Sequence, residues 1–159
     1  MQEYFDISGP VKVQFLLCEN RRNCGECPLR GDKCRRKRRE VMLLEDVIYT
    51  LPDGRRLLIK KGFIFDGASI PRFFWRVVGH PLDHEFIRAV VLHDAVYAAE
   101  IEEQEICDDW FAGFMKYYDD IGWFKRNAMY KAVDWCGGSV WKSHTPESIQ
   151  EARQYVMFI

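Results

Sequence analysis

The run Arg88-Ala89-Val90-Val91-Leu92-His93-Asp94-Ala95-Val96-Tyr97 constrains this chain more than any other stretch. Apolar residues surround a His-Asp pair, and a tyrosine follows four positions after the histidine. On a helix, residues four apart share a face, so His93 and Tyr97 point the same way. Asp94 stands about 100° round from His93 and reaches the same cavity from its rim. Two polar rings on an apolar helix need a partner, or their burial costs roughly 1–3 kcal/mol each. The segment Cys107-Asp108-Asp109-Trp110-Phe111 offers a carboxylate from a second helix, and Asp108 is expected to hold both rings.

The surrounding pattern gives the fold class. With 159 residues, 48% hydrophobic and 30% charged, the chain suits one compact domain, 1–159, with a real core. Residues 11–17, 40–49, 55–60 and 63–65 read as strands of one small antiparallel sheet, the second and third joined as a hairpin through Pro52-Asp53-Gly54. Asp66-Gly67-Ala68-Ser69-Ile70-Pro71 closes the sheet, with Gly67 for a tight turn. A short helix is expected at 73–75. Helices follow from near His84 to Glu100, Gln104 to Tyr118, and Trp123 to Cys136, the last stopped by Gly137-Gly138. The tail from Pro146 to Tyr155 reads as one more short helix. Strands first and helices later make an α+β fold. The five tryptophans are expected in core and rim packing.

Charge is unevenly spread. From Cys18 to Arg39 nine Lys/Arg face three acids, a net of +6 against −7 for the remainder. The overall −1 excludes a generally electrostatic nucleic-acid binder. Cys18, Cys24, Cys27 and Cys34 form C-x5-C-x2-C-x6-C in this segment, 18–39, which is too polar to build its own core. The C-x2-C turn aims two thiolates at one point, and flanking cysteines close a tetrahedral zinc site, so a structural zinc is expected. An iron–sulfur cluster is the alternative, and two disulfides would apply to an exported chain. The basic run Arg35 to Arg39 beside it reads as a contact for a partner protein or nucleic acid, or as a solvated loop. It lacks interleaved aromatics for base stacking. Cys107 and Cys136 are expected in the core.

In order, Phe65-Asp66-Gly67-Ala68-Ser69-Ile70-Pro71, His93-Asp94-x-x-Tyr97, Asp108-x-x-Phe111 and Met129-Tyr130 before Gly137 resemble an uncharacterised domain family found widely in phages and prophages, over residues 40–140. The resemblance implies a phage or host protein as partner and a place in host cytoplasm or virion. No signal-peptide pattern opens the chain and no apolar run is long enough to span a bilayer. Locally, His-Asp-x-x-Tyr with a later helical Asp is similar to the active-site helix pair of secretory and parvoviral phospholipases. That implies His93 as general base for a water, Asp94 as ligand to calcium or another divalent cation, Asp108 as orienter and Tyr97 as its second partner, acting on an ester or lipid. The glycine-rich calcium loop of those enzymes is matched only by Asp66 to Ser69.

Other readings stand beside this one. The His-Asp-Tyr network can simply pin two helices in a non-enzymatic phage structural or accessory protein. Ser69 can be a nucleophile with His93 as base, or a helix cap. Asp66 is either a turn residue or a second ligand to the cation of Asp94. Arg88 is expected to face away and to pair with Glu85 or Glu103, and Asp109 to be solvated.

Overall fold

The structure, a computed structural model, describes residues 5–16, 40–67, 76, 79–80 and 82–159. Cys18, Cys24, Cys27, Cys34, the basic run, Ser69 and the expected helix at 73–75 lie outside the described residues. Within them the fold is α+β, as expected, but the strands divide into two antiparallel sheets. One sheet orders β1 (Asp6–Ile7), β4 (Val47–Thr50), β5 (Arg56–Ile59) and β7 (Val156–Phe158) as β1-β4-β5-β7. The other orders β2 (Val13–Phe15), β3 (Val41–Leu43) and β6 (Ile64–Phe65) as β2-β3-β6.

The expected continuous strand 40–49 is therefore corrected. It breaks at Leu44-Glu45-Asp46, with β3 paired in one sheet and β4 in the other. Both halves keep alternation: Val41, Leu43, Val47 and Tyr49 are buried while Met42, Ile48 and Thr50 are not. The expected hairpin forms, with Ile48 opposite Leu58 and Thr50 opposite Arg56. Gly54 takes the left-handed φ of 83° that the turn needs, and Asp53 Oδ1 accepts the Arg55 amide at 2.9 Å.

Four helices follow among the described residues: α1 (Ile87–Ala99), α2 (Gln104–Tyr117), α3 (Trp123–Trp141) and α4 (Pro146–Ala152). Nine of the thirteen residues of α1 are buried, on all sides of the helix. Its three valines are indifferent helix formers, so enclosure rather than propensity holds it. It packs on α2, α4, β6 and β7. In α2 the buried residues Cys107, Asp108, Phe111, Phe114 and Met115 recur at helical spacing and form one stripe. Thr145 caps α4 in a reciprocal pair with Ser148, with Pro146 at the first helical position. The tail helix ends at Ala152, short of the expected Tyr155, and the chain returns as β7 against β5. No described helix is long and apolar enough to cross a membrane.

Two further expectations are corrected. Trp123 and Trp135 are 69% and 80% exposed rather than packed. Helix α3 does not stop at Gly137-Gly138 but continues to Trp141. Gly137 is there for close approach: a Cβ on it would overlap the Tyr97 hydroxyl oxygen and lie 3.2 Å from Tyr97 Cζ. Nothing lies within 4 Å of a Cβ at Gly138. The two neighbours should therefore respond oppositely to alanine. Gly137→Ala is expected to lose about 1–3 kcal/mol by overpacking. Gly138→Ala is expected to gain about 0.5–1 kcal/mol from helix propensity. Urea denaturation of the two variants checks this, and equal effects would contradict the packing.

Candidate functional site

Helices α1 and α2 meet at a buried His–Asp hydrogen bond. His93 Nε2 lies 2.9 Å from Asp108 Oδ1, and the two residues are 2% and 3% exposed. An ionised carboxylate only accepts, so Nε2–H donates and the neutral ring carries its lone pair on Nδ1. Nδ1 faces the other acid on the same helix, 3.8 Å from Asp94 Oδ1. The imidazole is held between Tyr97 and Phe111, with ring centroids 4.4 and 4.8 Å away. The expected pairing of His93 with Asp108 is present.

Burial alone pushes the His93 pKa down. The hydrogen bond to Asp108 and the interaction with Asp94 outweigh it, and the net shift is upward from 6.5.

Tyr97 departs from expectation. Its hydroxyl is buried and closes no hydrogen bond of ordinary geometry, although Asp108 and Gln104 both stand near enough to act on it. The phenol is turned against the bare backbone of Gly137 in α3. Burial first, and then the nearby Asp108 charge, push its pKa well above the usual value, so it stays neutral.

Asp94 links the helix to the end of the sheet. Its Oδ2 accepts the Gly67 amide at 2.8 Å, and Gly67 takes the expected left-handed turn at φ 66°. Asp66, Asp94 and Tyr97 line one hollow of about 140 Å³, walled also by Phe65 and His144. The two candidate cation ligands are thus brought together, with the tyrosine. His93 itself does not reach the wall of that hollow. Among the described residues no group of three or more His, Cys, Asp or Glu side chains is placed to hold a metal ion.

Sequence reasoning missed His144 and its partner. His144 Nδ1 lies 3.0 Å from Glu100 Oε1, across a separation of 44 residues. Arg88 was expected to pair with Glu85 or Glu103. It pairs instead with Asp119 at 2.6 Å, while its carbonyl accepts the Tyr49 hydroxyl at 2.8 Å. Glu85 goes to Lys125. The reason is geometric: the α2–α3 turn brings Asp119, whose side chain is fully covered, over the start of α1.

A buried His–Asp pair has a defined signature against pH. A folded pKa above the unfolded value means that the contribution of His93 to stability is fully present below pH 6.5 and is lost as pH rises through the raised pKa. The stability advantage of wild type over His93→Gln should therefore shrink between pH 6 and pH 9, read from urea midpoints. An advantage that grows with pH would contradict the assignment. Asp108→Ala, which strands the ring, should cost about 3–5 kcal/mol at pH 6.

Comparison with known proteins places the chain. Residues 41–133, which include β3 to β6, α1, α2 and the first half of α3, match the family described as "Protein of unknown function (DUF1353)". The uncharacterised protein y4jT of Sinorhizobium fredii (strain NBRC 101917 / NGR234) is 34% identical over 94 residues, 57% of this chain and 27% of that protein. The chain thus spans only about a quarter of the length of that relative. No solved structure matches. The matched span carries the His93–Asp108 pair, Asp94, Tyr97 and the Asp66-Gly67 turn, and the chain belongs to the DUF1353 family.

Proposed function

We propose that this chain is a hydrolase of carboxylic esters, lipid esters among them, in which His93 is the general base. The observation that carries the reading is the division of labour between the two imidazole nitrogens. Nε2 is committed to Asp108 at 2.9 Å, and Nδ1 is turned toward Asp94. Asp108 fixes the tautomer and raises the basicity of Nδ1, which is what a base for water requires. Asp94 lies between Nδ1 and the hollow, so one carboxylate separates the base from open space. Tyr97 packs on the imidazole and stays neutral beside Asp108.

Asp94 and Asp66 are the side chains that would hold calcium or another hard divalent cation. Carboxylates are the right donors, but two of them do not complete a shell of six to eight oxygens, and backbone oxygens and water would supply the rest. When bound, such an ion polarises a carbonyl and stabilises an oxyanion. The phage or prophage setting, and with it a phage or host partner, rests on the motif resemblance. A structural zinc on Cys18, Cys24, Cys27 and Cys34 is proposed from their spacing.

A second reading is favoured by one observation, the near-complete burial of His93 and Asp108. A pair so covered can act purely as a clamp between α1 and α2, in a non-enzymatic structural or accessory protein.

The assay that separates the readings is hydrolysis of short-chain phosphatidylcholine with calcium and with chelator. The first reading expects turnover that rises as pH climbs through the raised pKa of His93 and Nδ1 loses its proton. It also expects a loss of about 10²–10⁴-fold in His93→Gln with the helical circular dichroism retained. No turnover by wild type, or equal turnover by the variant, leaves the clamp. Elemental analysis should find about one zinc per chain, and its absence from protein purified without chelator would remove that proposal.

A further inference from the structure

Helix α3 is the longest of the described helices, yet it buries only Met129, Ala132, Val133 and Gly137. Those four face α2 and the Tyr97 ring. At about 100° per residue, Phe124, Lys131, Trp135 and Lys142 fall within about 40° of one another on the opposite side. Asn127, Ala128, Gly138 and Ser139 flank them, and nothing lies within 4 Å of a Cβ at Gly138. The outer stripe thus holds no acid. Asp134, the one acid of α3, stands about 80° round from it.

A surface helix ordinarily turns polar and charged side chains outward and keeps its aromatics for the core. Here Phe124 is 65% and Trp135 80% exposed, and Trp123 stands exposed at the start of the same helix. Lys131 and Lys142 are exposed as well, and neither pairs with a carboxylate among the described residues. The stripe runs for about 27 Å, aromatic and cationic by turns.

We propose that the outer stripe of α3 docks on the surface of an anionic lipid bilayer, with Phe124 and Trp135 in the interface and Lys131 and Lys142 on headgroup phosphates. Charge complementarity selects this occupant. Outside residues 18–39 the chain carries a net −7, and the stripe is a face that such a body can bring to an anionic surface without repulsion. Tryptophan and phenylalanine rings suit the boundary between headgroups and acyl chains, while lysine stems lie along it and lift their ammonium groups to the phosphates. The stripe has no Leu, Ile or Val, the residues that fill the holes of a partner helix. A second copy docked on the same stripe would bring four lysines together with no acid between them. No described helix is long and apolar enough to cross a membrane, so α3 would lie on the surface. His93 and Asp108 take no part, so docking of this kind stands apart from the hydrolase reading.

Flotation of the full chain with vesicles of two parts phosphatidylcholine to one part phosphatidylglycerol, and with phosphatidylcholine alone, tests this. Wild type should float with the anionic vesicles, and its tryptophan emission should move to the blue. The basic segment 18–39 attracts anionic vesicles too, so substitutions on α3 carry the decision. Trp135→Ala should weaken binding about tenfold or more. Lys131→Gln combined with Lys142→Gln should also weaken it about tenfold or more. Thermal melts should match wild type, since these side chains point away from the core, and Phe124→Ala repeats the test at a second site should either variant melt lower. Wild type that stays with the bulk solution, or equal binding by wild type and the folded α3 variants, overturns the proposal. So does a dimer in sedimentation velocity that Trp135→Ala dissolves, because a second copy would then own the stripe.

Discussion

The hydrogen bond from His93 to Asp108 is the constraint on which the rest of the arrangement depends. It joins the most enclosed helix of the fold to its neighbour through two groups that each cost several kcal/mol to bury alone. Once formed, it settles the ring orientation and which nitrogen holds the hydrogen, and it turns Nδ1 toward Asp94. Packing of Tyr97 and Phe111 on the imidazole then leaves it little freedom to turn.

The sheets and α3 act on the pair from outside. The Gly67 turn after β6 ties the sheet end to Asp94, which puts Asp66 in the same hollow. Gly137 lets α3 approach until the Tyr97 ring fills the gap between it and α1. The hollow therefore exists because three separate elements, the end of β6, α1 and the far end of α3, converge without filling the space with side chains. Its walls carry two acids, a phenol and an imidazole set among the apolar Phe63, Ile64, Phe65, Ala98 and Val140.

How much of this could be read in advance follows from the range of each interaction. The helices were legible because their periodicity and punctuation are local. Asp108 was legible because it interrupts an apolar stripe, Cys107, Phe111, Phe114 and Met115, where a charge needs a partner. Gly137-Gly138 misled because a glycine pair reads as a helix stop unless the approach of Tyr97 is known. The division of residues 40–49 between two sheets had a visible cause in Glu45-Asp46, which alternation alone did not weigh. Glu100 and His144 gave no signal at all. Each is an ordinary surface type, and only the tertiary fold brings them together across 44 residues.

The nitrogen resonances of the His93 ring report directly on its tautomer and its charge. Long-range proton–nitrogen correlation spectra of isotope-labelled protein, recorded from pH 5 to pH 9, give the tautomer and the pKa of His93 together. The His93 pKa should be shifted upward and, above it, the neutral ring should carry hydrogen on Nε2 and none on Nδ1. Hydrogen on Nδ1 in the neutral form, or a pKa below 6.5, would contradict this.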